Sequence, residues 1–113
     1  MTVYKIMQDL QHIMPPTFAI KKDKLVSFLH TIYKGYRQDI AYHNDLHGAD
    51  VAQMMYMFIL HGNLGKVAQL NYLDLVSAIT AAACHDFAHD GFTNGYHVNF
   101  VTDRAIRYHD EAV

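Results

Sequence analysis

The stretch Tyr42-His43-Asn44-Asp45-Leu46-His47-Gly48-Ala49-Asp50-Val51-Ala52-Gln53-Met54-Met55-Tyr56-Met57-Phe58-Ile59-Leu60 reads as one helix from about His43 to Leu60. Its second half, Met54 to Leu60, is apolar on every side, the pattern of a helix buried on several faces. At 3.6 residues per turn, His43, His47 and Asp50 fall within about 60° of one another. The same stripe continues through Met54 to Met57 and Phe58. Two histidines and a carboxylate are thus carried toward an interior, where polar groups need partners or a metal. His61-Gly62-Asn63-Leu64-Gly65 then reads as a turn with glycine stops.

Outward from this helix, two further stretches and the start of a fourth read as helical. Tyr72 to about Cys84 has Asn71 as N-cap and Asp74 in the first turn, where the helix dipole favours a carboxylate. From Leu75 to Cys84 only Ser77 and Thr80 are polar, so a buried helix is expected. Upstream, Leu25, Phe28, Leu29, Ile32, Tyr33 and Tyr36 recur at spacings of three and four from Lys21 to about Tyr36, with Lys21, Lys22 and Lys24 as a solvated face. Gly35 weakens the end of that helix. A further helix is expected from about Phe100 onward, carrying Ala105, Ile106 and Tyr108. Pro15-Pro16 is the strongest breaker and sets residues 1–17 apart as a lead-in segment. No strand pattern is seen. The fold class is therefore all-α, a compact multi-helix bundle. Val113 ends the sequence without cap, glycine or polar tail, as a truncated chain would.

A length of 113 residues suits one small domain or part of a larger one. The formal charge of −2, with no basic stripe, argues against a nucleic-acid partner. One cysteine, Cys84, excludes an intramolecular disulfide and fits a reducing compartment. At the end of an apolar run it reads as a buried, inert thiol. No apolar run approaches the roughly 18–20 residues of a membrane span, and Met1–Leu10 lacks a signal-peptide core. A soluble, cytoplasmic protein is expected. Histidine is the outlier, with nine in the chain.

Cys84-His85-Asp86-Phe87-Ala88-His89-Asp90-Gly91 forms the second polar cluster. His85 and Asp86 continue the face marked by Ala78, Ile79 and Ala82, and Gly91 permits a sharp exit. Imidazole plus carboxylate suits Zn, Fe, Mn or Co, and a carboxylate also shares a hard ion such as Mg. A bridging Asp86 fits a two-metal site of the kind that activates water and clamps a phosphoryl oxygen. His12, His30, His61, His97 and His109 show no partner pattern and read as surface or capping residues. Met54, Met55 and Met57 read as core filler.

Taken together, Tyr42-His43-Asn44-x-x-His47-x-x-Asp50-Val51-x-Gln53 and His85-Asp86-Phe87-x-His89-x-Gly91-x-x-Asn94-x-Tyr96 resemble the paired motifs of class I 3′,5′-cyclic-nucleotide phosphodiesterases, within the HD-type metal-dependent phosphohydrolases. Gly35-Tyr36-Arg37, Leu73 to Ala83 and Tyr108-x-Asp110 extend the likeness. Residues 18–113 therefore resemble the N-terminal part of that all-α catalytic domain. The resemblance implies hydrolysis of 3′,5′-cyclic AMP or cyclic GMP to the 5′-nucleotide, with the cyclic nucleotide as partner. It implies two divalent ions, zinc at the first site and magnesium or manganese at the second. It implies His43 as general acid, His47, His85 and Asp86 as ligands of the first metal, and Asp86 as bridge to the second. His89 would act through the second ion's water shell, and Tyr42 would line the pocket.

Gly48, Asp90 and His109 stand where the family commonly has alanine, proline and asparagine. Asp90 would bring an extra negative charge near the metals. A further metal-ligand aspartate and the purine-holding glutamine and aromatic clamp belong downstream of Val113. The 113 residues alone are thus expected to bind metal weakly, hydrolyse little and leave an apolar face uncovered; an oligomer is compatible with this. The alternatives are another HD-type phosphohydrolase, or a non-catalytic helical fragment that binds a metal or a partner.

Overall fold

A computed structural model describes residues 2–111. The chain end at Val113 lies outside them. Among the described residues there are seven α-helices, one 3₁₀ turn and no strand. The helices are α1 (Thr2–Ile13), α2 (Lys22–Gly35), α3 (Asp45–Leu60), α4 (Leu64–Val67), α5 (Tyr72–Cys84), α6 (Asn94–Asn99) and α7 (Asp103–Tyr108). None is long and apolar enough to cross a membrane.

The centre of the bundle is the α3–α5 pair, with α1 laid across both. Ile6, Met7 and Leu10 of α1 close over Leu25 of α2, Ile59 of α3, and Leu75 and Ile79 of α5. The segment ahead of Pro15-Pro16 is therefore the first helix of the bundle and not a detached lead-in. Ile6, Met7 and Leu10, at helical spacing, give it an inward stripe that outweighs the proline break. The 3₁₀ turn Pro16–Phe18 reverses the chain, and Gln11 Nε2 donates to Ile20 O at 2.9 Å to tie the linker back onto α1.

A second, smaller contact consists of Ala52 on α3 against Ala82 and Ala83 on α5. Alanines on both sides let the two backbones approach closely, because interaxial distance follows side-chain size at the contact. This contact lies between the Ile59–Ile79 core and the histidines of both helices.

Capping explains the boundaries. Asn71 Oδ1 accepts from Leu73 N and Asp74 N, while Asp74 Oδ2 accepts from Asn71 N, a complete capping box at α5. The apolar second half of α3 is covered on one side only. Ile59 is buried, but Met54, Met57 and Phe58 are exposed. The expectation of a helix buried on several faces thus fails for these three residues, since α1, α4 and α5 all gather on the opposite stripe. In α2 the inward face is Leu25, Leu29, Ile32 and Tyr36, while Phe28 and Tyr33 are exposed.

Candidate metal centre

The site is built where the start of α3 meets the end of α5. Asn44, not His43, opens α3. Its Oδ1 accepts from Leu46 N at 3.1 Å and His47 N at 3.2 Å, and its Nδ2 donates to Ile40 O at 3.0 Å. The side chain therefore caps the helix and clamps the bend before it. His43 lies in that bend, outside the helix, so its closeness to His47 does not come from one helical stripe. The ring centroids are 5.9 Å apart, edge to face.

Asp50 is exposed and belongs to neither ligand cluster. The buried stripe of α3 is Gly48, Ala52 and Ile59. At 100° per residue Asp50 lies about 180° from the middle of that stripe. Asp50 thus points to solvent, opposite the face that packs on α5, and joins neither donor group.

At the end of α5 each carbonyl finds a separate partner. Ala82 O lies 2.7 Å from His85 Nδ1, Ala83 O accepts from Tyr36 Oη at 2.9 Å, and Cys84 O accepts from Phe87 N at 3.0 Å. A carbonyl can only accept, so His85 Nδ1 carries its proton and Nε2 offers a lone pair. Tyr36 is buried, and that burial pushes its hydroxyl pKa up, keeping it a donor. Ala88 N donates to Gly35 O at 3.1 Å, and the Phe87 ring lies over Gly35, where a Cβ would meet it at 1.9 Å. Gly35-Tyr36 thus pins the His85–His89 turn from the side of α2.

Three donor atoms converge. His85 Nε2 is 3.3 Å from His47 Nε2 and 3.0 Å from Asp86 Oδ2, and His47 Nε2 is 3.4 Å from that same oxygen. Ligand atoms about 2.0–2.2 Å from one ion stand roughly 2.8–3.6 Å apart in octahedral or tetrahedral arrangements. The triangle fits one divalent ion without rearrangement. Two imidazole nitrogens and a carboxylate oxygen this close require a shared proton or a cation among them.

Asp86 also belongs to a second group with His43 and His89. The two imidazoles are stacked, 4.0 Å between centroids and 17° between planes. Gly91 N donates to His89 Nδ1 at 2.9 Å, and Gly91 has φ +90°, a backbone that favours glycine. The neutral His89 ring therefore holds its proton on Nε2 and presents a donor there. That suits a bound water or a phosphate oxygen better than a metal. Tyr42 is 63% exposed, its ring 4.5 Å from the His47 ring and 4.9 Å from that of His43.

Sequence reasoning missed two residues here. Asn44 holds both histidines of the first motif; its pattern, Asn before a first-turn Asp45, is a recognisable helix start. His97, expected at the surface, is 5% exposed. Its Nδ1 is 3.0 Å from Thr102 Oγ1, and its Nε2 lies 3.1 Å from Asp90 Oδ2, outside hydrogen-bond geometry. Arg104 Nη1 reaches the same oxygen at 3.0 Å. Asp90 is therefore turned into a His97–Arg104 cluster, not left as a free charge toward the candidate metal ligands. Burial pushes its carboxyl pKa up, but the Phe92 amide, Arg104 and His97 together outweigh this and hold it below the ordinary value. No periodicity joins Asp90 to His97; the Gly91 turn does.

Residues 42–113, which include both motifs, match the family described as 3′5′-cyclic nucleotide phosphodiesterase. A probable 3′,5′-cyclic-AMP phosphodiesterase (pde-4) of Caenorhabditis elegans is 41% identical over 97 residues, covering 86% of this chain and 14% of the relative. The dual specificity calcium/calmodulin-dependent 3′,5′-cyclic nucleotide phosphodiesterase 1B of Homo sapiens is 38% identical over 104 residues, 91% of this chain and 19% of the relative. The 3′,5′-cyclic-nucleotide phosphodiesterase regA of Dictyostelium discoideum is 35% identical over 100 residues, 88% of this chain and 12% of the relative. The chain thus spans less than a fifth of each of these relatives. With a matching region of this extent and relatives at this identity, the chain belongs to the 3′5′-cyclic nucleotide phosphodiesterase family.

Proposed function

We infer that this chain supplies the metal-holding wall and the proton donor of an enzyme that hydrolyses the 3′ phosphoester bond of cyclic AMP or cyclic GMP to the 5′-nucleotide. The observation that carries this reading is the convergence of His47 Nε2, His85 Nε2 and Asp86 Oδ2 at 3.0–3.4 Å. Family membership supplies the reaction class.

His47, His85 and Asp86 would hold the first divalent ion, zinc by the nature of two imidazoles and a carboxylate. Asp86 would also help to hold magnesium or manganese with the second group of donors. When bound, such a pair of ions withdraws charge from the phosphoryl oxygen and makes water nucleophilic near neutral pH. In the hydrolysis a P–O bond to water forms, the P–O3′ bond breaks, and water releases one proton while the departing O3′ takes one up. His43, in its protonated form, delivers the proton that the departing O3′ needs; such transfer typically contributes about 10²–10⁴-fold. His89 Nε2–H donates to water or phosphate oxygen on the Asp86 side. Asn44 holds His43 and His47 in register, and Tyr42 forms the outer edge of the pocket beside them.

The test is a calorimetric Zn²⁺ titration of the chelated chain, followed by cyclic-AMP and cyclic-GMP hydrolysis assays. Binding near one ion per chain, lost in His85→Ala, is expected, with little hydrolysis by these residues alone. Equal Zn²⁺ binding in wild type and His85→Ala would sink the proposed ligand set.

A further inference from the structure

An open cavity of about 610 Å³ separates the ligand turn from α7. One wall carries His85, Asp86 and His89; the other carries Arg104 and Arg107. These arginines are three residues apart, on one face of α7. Arg104 is held to Asp90, which belongs to the ligand turn itself. Thr102 fixes the start of α7 through its bond to Ala105 N at 3.3 Å and its contact with His97. The helix is thus tied to the site at its first turn, with Arg107 one turn further along the same cavity. Arg107 makes no ion pair among the described residues. Asp103, which also lines the cavity one turn earlier, is not paired with it. A permanent cation therefore lines the same cavity as the donor wall and forms no ion pair among the described residues.

We propose that Arg107 is a phosphate-positioning residue, whose guanidinium binds an anionic phosphoryl oxygen across the cavity from Asp86 and His89. The proposal rests on the phosphodiesterase reading and extends it to a residue outside both motifs. Guanidinium is suited to this role, since its fixed fork matches two phosphate oxygens and its charge does not titrate. Charge at phosphorus rises from a diester monoanion toward a more highly charged transition state and then a monoester. A cation placed here binds the later species more tightly than the first.

The experiment uses this chain after chelation, with inorganic phosphate as the probe. The chain has three arginines, Arg37, Arg104 and Arg107, so its guanidinium Nε–Hε NMR spectrum is simple. Arg37, paired with Asp39, is the internal control. Phosphate should shift the Arg107 signal saturably and leave that of Arg37 unmoved. Dimethyl phosphate, a monoanion, should bind more weakly. Arg107→Gln should weaken phosphate binding by up to about fivefold, the upper end for an exposed charge pair, and Arg107→Lys should recover part of it. About 1 M salt should abolish the shift. Equal phosphate affinity in wild type and Arg107→Gln, or equal shifts of Arg37 and Arg107, would overturn the proposal. Zn²⁺ affinity should be unchanged in Arg107→Gln, because the residue is no ligand. A failed ligand set, read from His85→Ala, is thus separable from a failed phosphate site.

Discussion

Replacing Gly48 by alanine should destabilise this protein although it favours the helix. In a helix interior alanine is better than glycine by about 0.8–1.0 kcal/mol. Against that gain stands Tyr36. A Cβ on Gly48 would meet Tyr36 Oη at 2.8 Å, Tyr36 Cζ at 3.0 Å and Ala83 O at 3.3 Å. Tyr36 is 4% exposed, and the room for its ring to retreat is a small cavity of about 120 Å³ beside Tyr36, Gly48 and Ala83. The hydroxyl must leave its 2.9 Å bond to Ala83 O. Losing that bond and leaving a buried carbonyl without a partner costs about 1–3 kcal/mol. The balance is a net loss of up to about 2 kcal/mol, or a melting temperature lower by up to roughly 10 °C at this chain length. Urea and thermal unfolding of wild type, Gly48→Ala, Tyr36→Phe and the double variant would measure it. Removing the hydroxyl removes the nearest clash, so the alanine should cost at least about 1 kcal/mol less in the Tyr36→Phe background. A rise in melting temperature for Gly48→Ala with Tyr36 intact would refute the reasoning.

Further outcomes follow from the caps and charges. Asn44→Ala should lower stability by about 1 kcal/mol through loss of the N-cap and weaken Zn²⁺ binding in calorimetry, since the turn holding His47 frays; unchanged Zn²⁺ affinity would separate the cap from the site. Asp90 has a depressed folded pKa, so its stabilisation is present above the unfolded carboxyl value of about 3.9 and is lost as pH falls through the folded value. Melting curves between pH 2 and pH 6 should therefore fall more steeply for wild type than for Asp90→Asn, and parallel curves would show that the His97–Arg104 cluster does not select the ionised form.

What the sequence made legible was local. The α5 cap at Asn71 and Asp74 and the inward stripe of α2 can be read from spacing, because neighbours along a helix determine them; the meeting of His47 with His85 and Asp86 joins two helices and was implied by the family resemblance alone. His47 and the His85-Asp86 pair were identifiable as candidates for the same reason. The start of α3 was misplaced because two histidines four apart look like a helical pair. Asn44 resolves the matter, since an Asn that caps forces the preceding residue off the helix. Asp50 followed from the same error. A 60° stripe weights every polar residue in it equally, whereas the packing partner on α5 selects Gly48, Ala52 and Ile59. His97 was illegible because its partner Asp90 meets it through the Gly91 turn, which has no period.

The residues that bring the donors to ligand distance are small and chemically silent. Ala52 against Ala82 and Ala83 sets how near α3 and α5 approach. Gly48 admits the Tyr36 hydroxyl, which occupies Ala83 O one turn from Asp86. Gly35 receives the Phe87 ring and the Ala88 amide, fixing the turn that carries Asp86 and His89. A larger side chain at any of these positions moves one wall of the site relative to the other, and a shift of about 1 Å is enough to spoil a constellation held at such distances. Donor identity is thus written in the polar motifs, while donor spacing is written in glycines and alanines some of which lie outside them. Mutagenesis restricted to the histidines and aspartates would test the chemistry of the centre and leave its construction untested; the Gly48–Tyr36–Ala83 contact addresses that construction.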